Sequence, residues 1–211
     1  MSYLQGKVTG VIINFQTPDL TRKAIESLRQ FYPHLPLLLV DNGSEDNSRA
    51  SLQEFQLRFP ATTQLLFNQR NLYHGPAMHQ AMGEVASSFV LFLDSDCEIH
   101  RGGFIEGMAE IANQDNLCYA VEKRVYMNKR GFDVSEQQGA IPCIRPVCML
   151  VKREIYSLLR PFRHHGTPCL DNMQDALARG YHLIDFPIFD FVAHEGRGTA
   201  GKYGYGLGLV N

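Results

Sequence analysis

One short apolar run restricts the possible folds of this chain more than any other feature of its sequence. Residues 89–93, F-V-L-F-L, lead directly into two carboxylates, Asp94 and Asp96, with only Ser95 between them. An unbroken apolar run of this length is typical of a central strand in a parallel sheet that is covered on both faces. Ligands of such sheets bind beyond the carboxyl ends of the strands, so the sequence predicts a ligand site at the two carboxylates.

Two carboxylates this close together favour a nearby positive charge. Unit charges about 4 Å apart repel by roughly 4 kcal/mol at an effective dielectric constant near 20. A hard divalent cation such as Mn²⁺ or Mg²⁺ removes that repulsion, because carboxylate oxygens are its preferred ligands. A solvated acidic turn, in which water screens the repulsion, is the alternative for a D-x-D pattern taken alone.

Composition and charge exclude several classes of protein. The 211 residues carry a formal net charge of −2, which gives no basis for binding nucleic acid or an anionic membrane surface. No apolar stretch approaches the length that spans a bilayer, and the first residues show no signal-peptide pattern. We therefore expect a cytoplasmic protein without a transmembrane segment, with peripheral binding at the inner face of the membrane as an open alternative.

The five cysteines indicate a reducing compartment. Their number is odd and no C-x-x-C pair occurs, which argues against both a disulfide framework and a structural zinc site. Free cysteines are usually buried and behave as small apolar residues. We expect one exception, Cys97, which borders the carboxylate pair and is predicted to be partly exposed.

Strand and helix patterns alternate four times up to the carboxylate pair. Thr17 and Ser44 are the expected N-caps of the first two helices, and short joints connect the elements. This alternation predicts an α/β fold with a doubly wound, mainly parallel sheet and helices on both faces. Neither the dinucleotide glycine fingerprint nor a P-loop occurs in the sequence. The expected strands cover 8–15, 37–40, 63–67 and 89–93, and the expected helices begin at 18, 45 and 76.

After residue 96 the pattern is looser. Asp171 is expected to begin a late helix as its N-cap. The last residues, 196–211, are rich in glycine, which predicts a flexible tail or a lid that orders on a ligand. The other expected elements are helices at 104–112 and 153–159, strands at 117–121, 147–151, 182–186 and 188–193, and a turn at 128–131.

Five segments of the chain form a pattern when they are taken in order. They are the end of the first strand at 14–17, V-D-N-G-S at 40–44, N-L-Y-H-G-P-A-M-H-Q-A at 71–81, L-D-S-D at 93–96 and H-E-G-R-G-T at 194–199. Together they resemble glycosyltransferase family 2, the inverting enzymes of the GT-A fold, and the resemblance covers residues 8–199. It implies metal-dependent transfer of a sugar from a nucleotide sugar, a UDP-sugar above all, to an acceptor hydroxyl. The acceptor stays open among a saccharide, a lipid-linked molecule and a small molecule. The resemblance also implies a single domain with a nucleotide-sugar half at 8–96 and an acceptor half at 97–195.

The resemblance implies roles for residues near the carboxyl end of the sheet. Asp41 would accept a hydrogen bond from a uracil N–H, although an aspartate here can also cap a turn. Asp171 would take the acceptor proton as the catalytic base, with Asp175 or His165 next in line; its alternative role is helix capping. The implied ligands of Mn²⁺ or Mg²⁺ are Asp94, Asp96 and His194. The implied nucleotide-sugar-binding residues are Phe15, Thr17, Asp41, His74, Gly75, Asp94, Ser95 and Arg197.

Three positions depart from the family pattern. Tyr73 stands where the family usually carries glycine, His79 where it usually carries asparagine, and Asn172 follows Asp171 where an acidic pair is usual. Two other functions stay open, a nucleotide-sugar-binding module without catalysis and a phosphatase with a D-x-D motif. Phosphatases of the haloacid-dehalogenase type carry that motif on the first strand, whereas here it follows the fourth, which counts against them.

Overall fold

The apolar run before the carboxylates is the fourth strand of a seven-stranded sheet in the computed structural model, which describes residues 6–137, 139–163 and 166–196. The strands are β1 Val8–Asn14, β2 Leu37–Asp41, β3 Thr63–Phe67, β4 Phe89–Asp94, β5 Cys97–Ile99, β6 Cys118–Glu122, β7 Arg124–Met127, β8 Ile141–Ile144, β9 Cys148–Lys152, β10 His182–Asp185 and β11 Val192–His194. The helices are α1 Pro18–Phe31, α2 Ser48–Arg58, α3 His74–Glu84, α4 Phe104–Gln114, α5 Arg153–Tyr156 and α6 Leu170–Ala178, with a 3₁₀ turn at Ile188–Asp190.

Four neighbouring strands run parallel and share one carboxyl edge. The sheet order is β10-β6-β9-β4-β1-β2-β3, in which β9 lies antiparallel to both β4 and β6. The register pairs Asn14 with Asp41 across β1 and β2, and Ile13 with Asp94 across β1 and β4. The carboxyl ends of β1, β2 and β4 therefore lie side by side, and the predicted mainly parallel, doubly wound sheet is confirmed.

Alternate residues of β4 face opposite sides of the sheet, and apolar side chains cover both sides. Leu91 and Leu93 pack into the cluster that includes residues of α1, α2 and α4, whereas Val90 and Phe92 pack into the cluster of α3, α5 and α6. Burying one such side chain is worth roughly 1.5–3 kcal/mol. The two layers explain why the strand sequence is apolar without interruption and why it becomes polar where the sheet ends.

Neither hydroxyl group predicted to cap one of the first two helices makes a capping hydrogen bond. α2 begins at Ser48 rather than at 45, because the Ser44 hydroxyl accepts hydrogen bonds from the Gln16 amide (2.9 Å) and from Asn14 Nδ2 (3.2 Å). Thr17 does occupy the N-cap position of α1, but its hydroxyl donates to Asn14 Oδ1 at 3.2 Å and makes no capping bond. Both hydroxyl groups thus join β1 to its neighbours.

Other boundaries in the second half also differ from the expectations. α6 begins at Leu170, so Asp171 lies inside the first turn and is not the N-cap. The expected strand at 188–193 is divided into the 3₁₀ turn and the three-residue β11, and α5 is shorter than expected. Among the described residues, no helix combines the length and the apolar character that crossing a membrane requires.

A short two-stranded ribbon brings the late part of the chain to the end of β4. β11 pairs antiparallel with β5, and this register sets His194 opposite Cys97. The Glu195 amide donates to the carbonyl of Asp96 at 3.2 Å and fixes the end of the ribbon. A histidine about a hundred positions away in sequence therefore lies beside the carboxylate pair.

Candidate functional site

Four titratable side chains from three separate segments converge at the end of β4. His194 Nε2 lies 3.1 Å from Asp96 Oδ1 and 3.7 Å from Asp94 Oδ2. His74 Nε2, at the start of α3, lies 3.7 Å from the other Asp94 oxygen, Oδ1. The structure thus brings together the three predicted metal ligands, and it places one predicted nucleotide-sugar-binding residue beside them.

The electrostatics of this group reflect an excess of negative charge. Burial, together with the charge of Asp96, raises the pKa of Asp94 to about 8, against the opposing attraction of His194. The Asp94 side chain is 24 % exposed at the cavity surface but is enclosed by protein at longer range. Burial lowers the pKa of His194, but the hydrogen bond with Asp96 and the charges of both carboxylates outweigh it, so the net shift is upward.

The donor set fits a hard divalent cation. Two carboxylates and one imidazole nitrogen, Asp94, Asp96 and His194, are ligand types that Mn²⁺ and Mg²⁺ accept. The carboxyl and imidazole groups here favour their protonated forms, and a bound cation would supply that positive charge instead.

Cys97 lies close to the same group but differs in character. One ligand atom each from Asp96, Cys97 and His194 lie within 4.8 Å of one another. The prediction that Cys97 is partly exposed is wrong, because its side chain is buried and Sγ points to the Val147 carbonyl at 3.4 Å. Burial raises the pKa of this thiol well above its ordinary value, so Cys97 stays protonated and packs as an apolar residue.

A cavity of about 190 Å³ opens from the carboxylate group. His74, Asp94, Arg145, Thr167 and His194 are among the residues that line it. Arg145, just before β9, forms an ion pair with Asp133 and brings a positive charge to the cavity. Sequence reasoning missed Arg145, because only the antiparallel placement of β9 beside β4 brings it here.

A carboxyl group that sequence reasoning also missed is buried at the end of β6. Glu122 is 1 % exposed, and neither carboxyl oxygen meets hydrogen-bond geometry with any described residue, the Cys148 amide included. Burial raises the pKa of Glu122 well above its ordinary value, and the charge of Asp94 adds to the shift. Burial therefore favours the neutral form of this carboxyl in the folded protein.

A second polar cluster lies at the ends of β1 and β2. Asp41 is fully buried; Oδ1 accepts from Asn14 Nδ2 (3.1 Å), and Oδ2 accepts from the Ser44 amide (3.1 Å) and Arg49 Nε (3.0 Å). The bond to Ser44 closes a turn, as one of the two sequence interpretations expected. The contact of Asp41 with a base stays a prediction.

The glycine of the V-D-N-G-S segment has a clear structural reason. Gly43 has φ +83°, and a Cβ placed on it would lie 2.3 Å from the backbone carbon of Arg70. The end of β2 therefore packs directly against the loop that precedes α3.

Other residues predicted to contact the nucleotide sugar also lie near the site. The hydroxyl groups of Thr17 and Ser95 lie 3.4 Å apart, so these two predicted residues are in contact with each other. Phe15 is half-buried and Gly75 is buried in the first turn of α3.

Asp171 lines a different cavity, of about 490 Å³, together with Lys129 and Gln174. Leu170 contributes to the walls of both cavities, so the two spaces are neighbours. Asp175, the second choice for a base, binds Arg179 Nε (3.1 Å) and the Arg160 amide, and the bond to Arg179 lowers its pKa. Asp175 therefore holds the helix end to the segment before it.

Asn172 has a structural role in the position after Asp171. It is fully buried, its Oδ1 accepts from the Tyr119 hydroxyl at 2.5 Å, and its Nδ2 donates to the Arg160 carbonyl at 2.5 Å. His79 Nδ1 similarly lies 2.8 Å from the Tyr156 hydroxyl and joins α3 to α5.

The predicted contacts of His165 and Arg197, and the predicted lid at 196–211 apart from Gly196, lie outside the described residues.

Two solved structures of glycosyltransferases have a similar architecture. The mannosyltransferase PcManGT from Pyrobaculum calidifontis, in complex with GDP-Man and Mn²⁺, is similar with a TM-score of 0.69 and 16 % identity, over 86 % of this chain and 55 % of that chain. S. aureus TarS 1-349, in complex with UDP-GlcNAc, is similar with a TM-score of 0.64 and 14 % identity, over 90 % and 60 % of the two chains. The fold is therefore that of the GT-A glycosyltransferases.

Sequence comparison identifies the family. A family model described as Glycosyl transferase family 2 matches residues 10–168, and the chain belongs to this family. An uncharacterized glycosyltransferase from Nostoc sp. (strain PCC 7120 / SAG 25.82 / UTEX 2576) is 31 % identical over 91 residues, which cover 43 % of this chain and 28 % of that protein. The chain thus spans less than two thirds of the length of each of these three relatives. The resemblance seen in the sequence is confirmed, and membership of this family counts against the phosphatase alternative.

Proposed function

We propose that this protein is an inverting, metal-dependent glycosyltransferase that moves a sugar from a UDP-sugar to an acceptor hydroxyl. The observation that carries the proposal is the convergence of Asp94, Asp96 and His194 beside a cavity at the carboxyl edge of the sheet. Carboxyl edges of parallel strands are where such folds bind their ligands. The complexes of PcManGT with GDP-Man and Mn²⁺ and of TarS with UDP-GlcNAc support a nucleotide-sugar donor.

The residues of the first cavity would hold the diphosphate end of the donor. Asp94, Asp96 and His194 would bind the Mn²⁺ or Mg²⁺ ion, which when bound acts as a Lewis acid for the charge on the departing diphosphate. Arg145 would add a second positive charge in the same cavity. Thr17 and Ser95, whose hydroxyl groups meet beside the carboxylates, would orient the ribose side of the donor.

Asp171 would act on the acceptor from the neighbouring cavity. As the acceptor oxygen bonds to the anomeric carbon, the bond from that carbon to the diphosphate breaks, and the hydroxyl proton passes to the Asp171 carboxylate. A single displacement of this kind inverts the anomeric centre. The shared wall at Leu170 supports this arrangement, because acceptor and donor would then meet where the two cavities adjoin.

A nucleotide-sugar-binding module without catalysis is the second candidate. The observation that favours it is the position of Asp171, which lines the neighbouring cavity and not the one that contains Asp94. The two candidates share donor binding and differ in turnover.

A donor screen with a turnover measurement tests both candidates. Thermal shifts with a panel of UDP- and GDP-sugars, each with and without Mn²⁺, identify the donor that binds. Release of nucleoside diphosphate from that donor, measured with and without candidate acceptors, then separates a transferase from a binding module. Binding without release would favour the module, and the absence of any Mn²⁺-dependent shift would contradict both.

A further inference from the structure

The carboxylate predicted to read the base is buried, and a half-exposed arginine is bonded to it. Asp41 is 0 % exposed, and its Oδ2 atom accepts a hydrogen bond from Arg49 Nε at 3.0 Å. The side chain of Arg49, in the first turn of α2, is 43 % exposed. Of these two paired groups, the guanidinium of Arg49 is therefore the one that a ligand at the end of β2 can reach.

Three contacts hold the guanidinium of Arg49 in place. Besides the bond to Asp41, its Nη2 atom donates to the carbonyl of Asn68 at 2.6 Å, and its central carbon lies 5.6 Å from the centre of the Phe67 ring. A long side chain usually loses conformational entropy when it binds a ligand, and a side chain that is already fixed avoids much of this cost. Arg49 is therefore preorganised at the carboxyl edge of the sheet.

The guanidinium keeps hydrogen-bond donors that these contacts do not use. It carries five N–H groups in a rigid planar fork, and the bonds to Asp41 and Asn68 take two of them. Among the residues that the structure describes, none accepts a hydrogen bond from Nη1 of Arg49. A guanidinium donates and never accepts, so a partner outside the chain must offer an acceptor. The flat edge of a nucleobase offers such acceptors, and arginine is their commonest partner in specific contacts.

A chain of hydrogen bonds connects Arg49 to the end of β4. It runs through the side chains of Ser95, Thr17, Asn14 and Asp41, with successive distances of 3.4, 3.2 and 3.1 Å. The chain crosses from β4 over β1 to β2, which is two strand spacings of about 4.8 Å each. A nucleotide with its diphosphate at the end of β4 and its ribose beside β1 therefore has its base, and not its phosphates, at the end of β2.

We propose that Arg49 donates to an exocyclic carbonyl oxygen of the nucleobase and so selects uracil or guanine over cytosine or adenine. The proposal rests on the proposed function, since it needs a nucleotide at this edge of the sheet. Uracil carries a carbonyl oxygen at position 4 and guanine one at position 6, where cytosine and adenine carry an amino group that donates. Because two donors that face each other form no hydrogen bond, the arginine disfavours the amino bases. Asp41 is then a positioning residue, which holds the guanidinium.

Two matched pairs of nucleotides test the inference in the unaltered protein. UDP and CDP share their ribose and diphosphate and differ at positions 3 and 4 of the base, whereas IDP and ADP differ at positions 1 and 6. Calorimetry with Mn²⁺ measures all four affinities. The pair that binds more tightly shows whether the site takes a pyrimidine or a purine. Within that pair we expect the base with the carbonyl oxygen to bind at least about fivefold more tightly than the amino base.

Arg49→Lys separates the planar fork from the positive charge. The lysine keeps a cation beside the buried Asp41, so the variant should fold, but one ammonium group does not reproduce the fork that binds Asp41, Asn68 and a base together. We expect the preference within the pair to fall below about twofold, while inorganic pyrophosphate with Mn²⁺ binds as in the unaltered protein. Arg58→Lys, on the same helix, is the matched control and should keep the preference, because Arg58 is likewise half-exposed and paired with a carboxylate, that of Glu26.

Three results would overturn the inference. Equal affinities within both pairs would show that the site does not distinguish a carbonyl from an amino group, and this result needs no variant that folds. A preference that survives in Arg49→Lys would assign it to another residue. Equal weakening of pyrophosphate and of both nucleotides in Arg49→Lys would leave the arginine a purely structural role. If the unaltered protein binds neither pyrophosphate nor any of the nucleotides with Mn²⁺, the proposed function itself fails, whereas binding without a preference contradicts this inference alone.

Discussion

The ends of β2 and β4 both carry carboxylates, but the protein surrounds them in opposite ways. Asp41 is fully buried, and its two oxygens accept three hydrogen bonds from groups of the protein itself. Asp94 and Asp96 lie beside a cavity, where Asp94 faces the imidazole rings of His74 and His194, and Asp96 faces the ring of His194. The first arrangement is complete without a ligand, whereas the second keeps an excess of negative charge.

This difference teaches how to separate a structural carboxylate from one that binds a ligand. Burial alone does not distinguish them, because Asp41 is the more deeply buried of the two strand-end groups. The supply of hydrogen-bond donors from the protein does distinguish them, since a buried carboxylate whose oxygens already accept hydrogen bonds needs no external charge.

The largest expected effect concerns Asp171, a carboxylate that belongs to neither strand end. Asp171→Asn should lower the rate of sugar transfer by about 10²–10⁴, because a positioned general base is worth that factor. The fold should keep a nearly normal melting temperature, since the helix loses only about 0.3–1 kcal/mol of interaction between charge and dipole. Asp175→Asn on the same helix is the control and should retain transfer. Substantial transfer by Asp171→Asn would reassign the base.

A substitution at the end of β2, where both oxygens of the carboxylate accept hydrogen bonds, should mainly change the stability of the fold. Asp41→Ala removes the acceptor of the Ser44 amide, an acceptor of Arg49 Nε, and one of the two acceptors of Asn14 Nδ2. This loss should lower the free energy of unfolding by about 2–4 kcal/mol. If Asp41 also reads the base, UDP affinity should fall by a further 1–3 kcal/mol in protein that remains folded, an order-of-magnitude expectation for a lost charged partner. Denaturant unfolding and calorimetry measure the two effects. Glu45→Ala, at an exposed carboxylate nearby, should change neither quantity. Unaltered stability in Asp41→Ala would contradict the comparison.

The smallest expected effect depends on pH and comes from Glu122. Because folding raises the pKa of this carboxyl above its ordinary value of 4.5, the folded state holds a proton that the unfolded state releases. The contribution of Glu122 to stability is therefore fully present below pH 4.5 and is lost as the pH rises toward the folded-state pKa. Glu122→Gln abolishes this dependence, so its stability advantage over the unaltered protein should grow by at most about 1.4 kcal/mol per pH unit.

Melting temperatures between pH 5 and 8 check this prediction. Glu110→Gln, at an exposed carboxylate of α4, is the control and should show a constant difference from the unaltered protein. A constant difference for Glu122→Gln as well would mean that this carboxyl is ionised in the folded state.

Local patterns predicted the parts of the molecule that depend on local physics. The apolar run of β4 and the alternation of strands with helices follow from burial on both faces of a sheet, and both were predicted. The start of α2 was not predicted, because the Ser44 hydroxyl is bound by Asn14 and Gln16. These two residues lie 30 and 28 positions away in the sequence. A capping pattern cannot reveal that a distant side chain competes for the cap.

The candidate site divides in the same way. Asp94, Asp96 and His194 were predicted as one group, since they lie in segments that resemble a family. Arg145 and Glu122 were missed, because their places depend on β9 inserting antiparallel between β4 and β6, which no local pattern encodes. The roles assigned to the site residues, and the division into two halves, stay predictions.

The central claim is that the end of β4 binds a divalent cation together with a nucleotide. Calorimetry of UDP binding with Mn²⁺, with EDTA, and with Mn²⁺ restored tests it most directly, in the unaltered protein, in Asp96→Asn and in Asp190→Asn, an exposed carboxylate that serves as the control. We predict that EDTA and Asp96→Asn each weaken UDP binding by at least about 100-fold, since loss of a ligand should cost no less than loss of an outer-shell partner, while restored Mn²⁺ and Asp190→Asn preserve it. UDP affinity that is the same with EDTA and in Asp96→Asn would contradict the account.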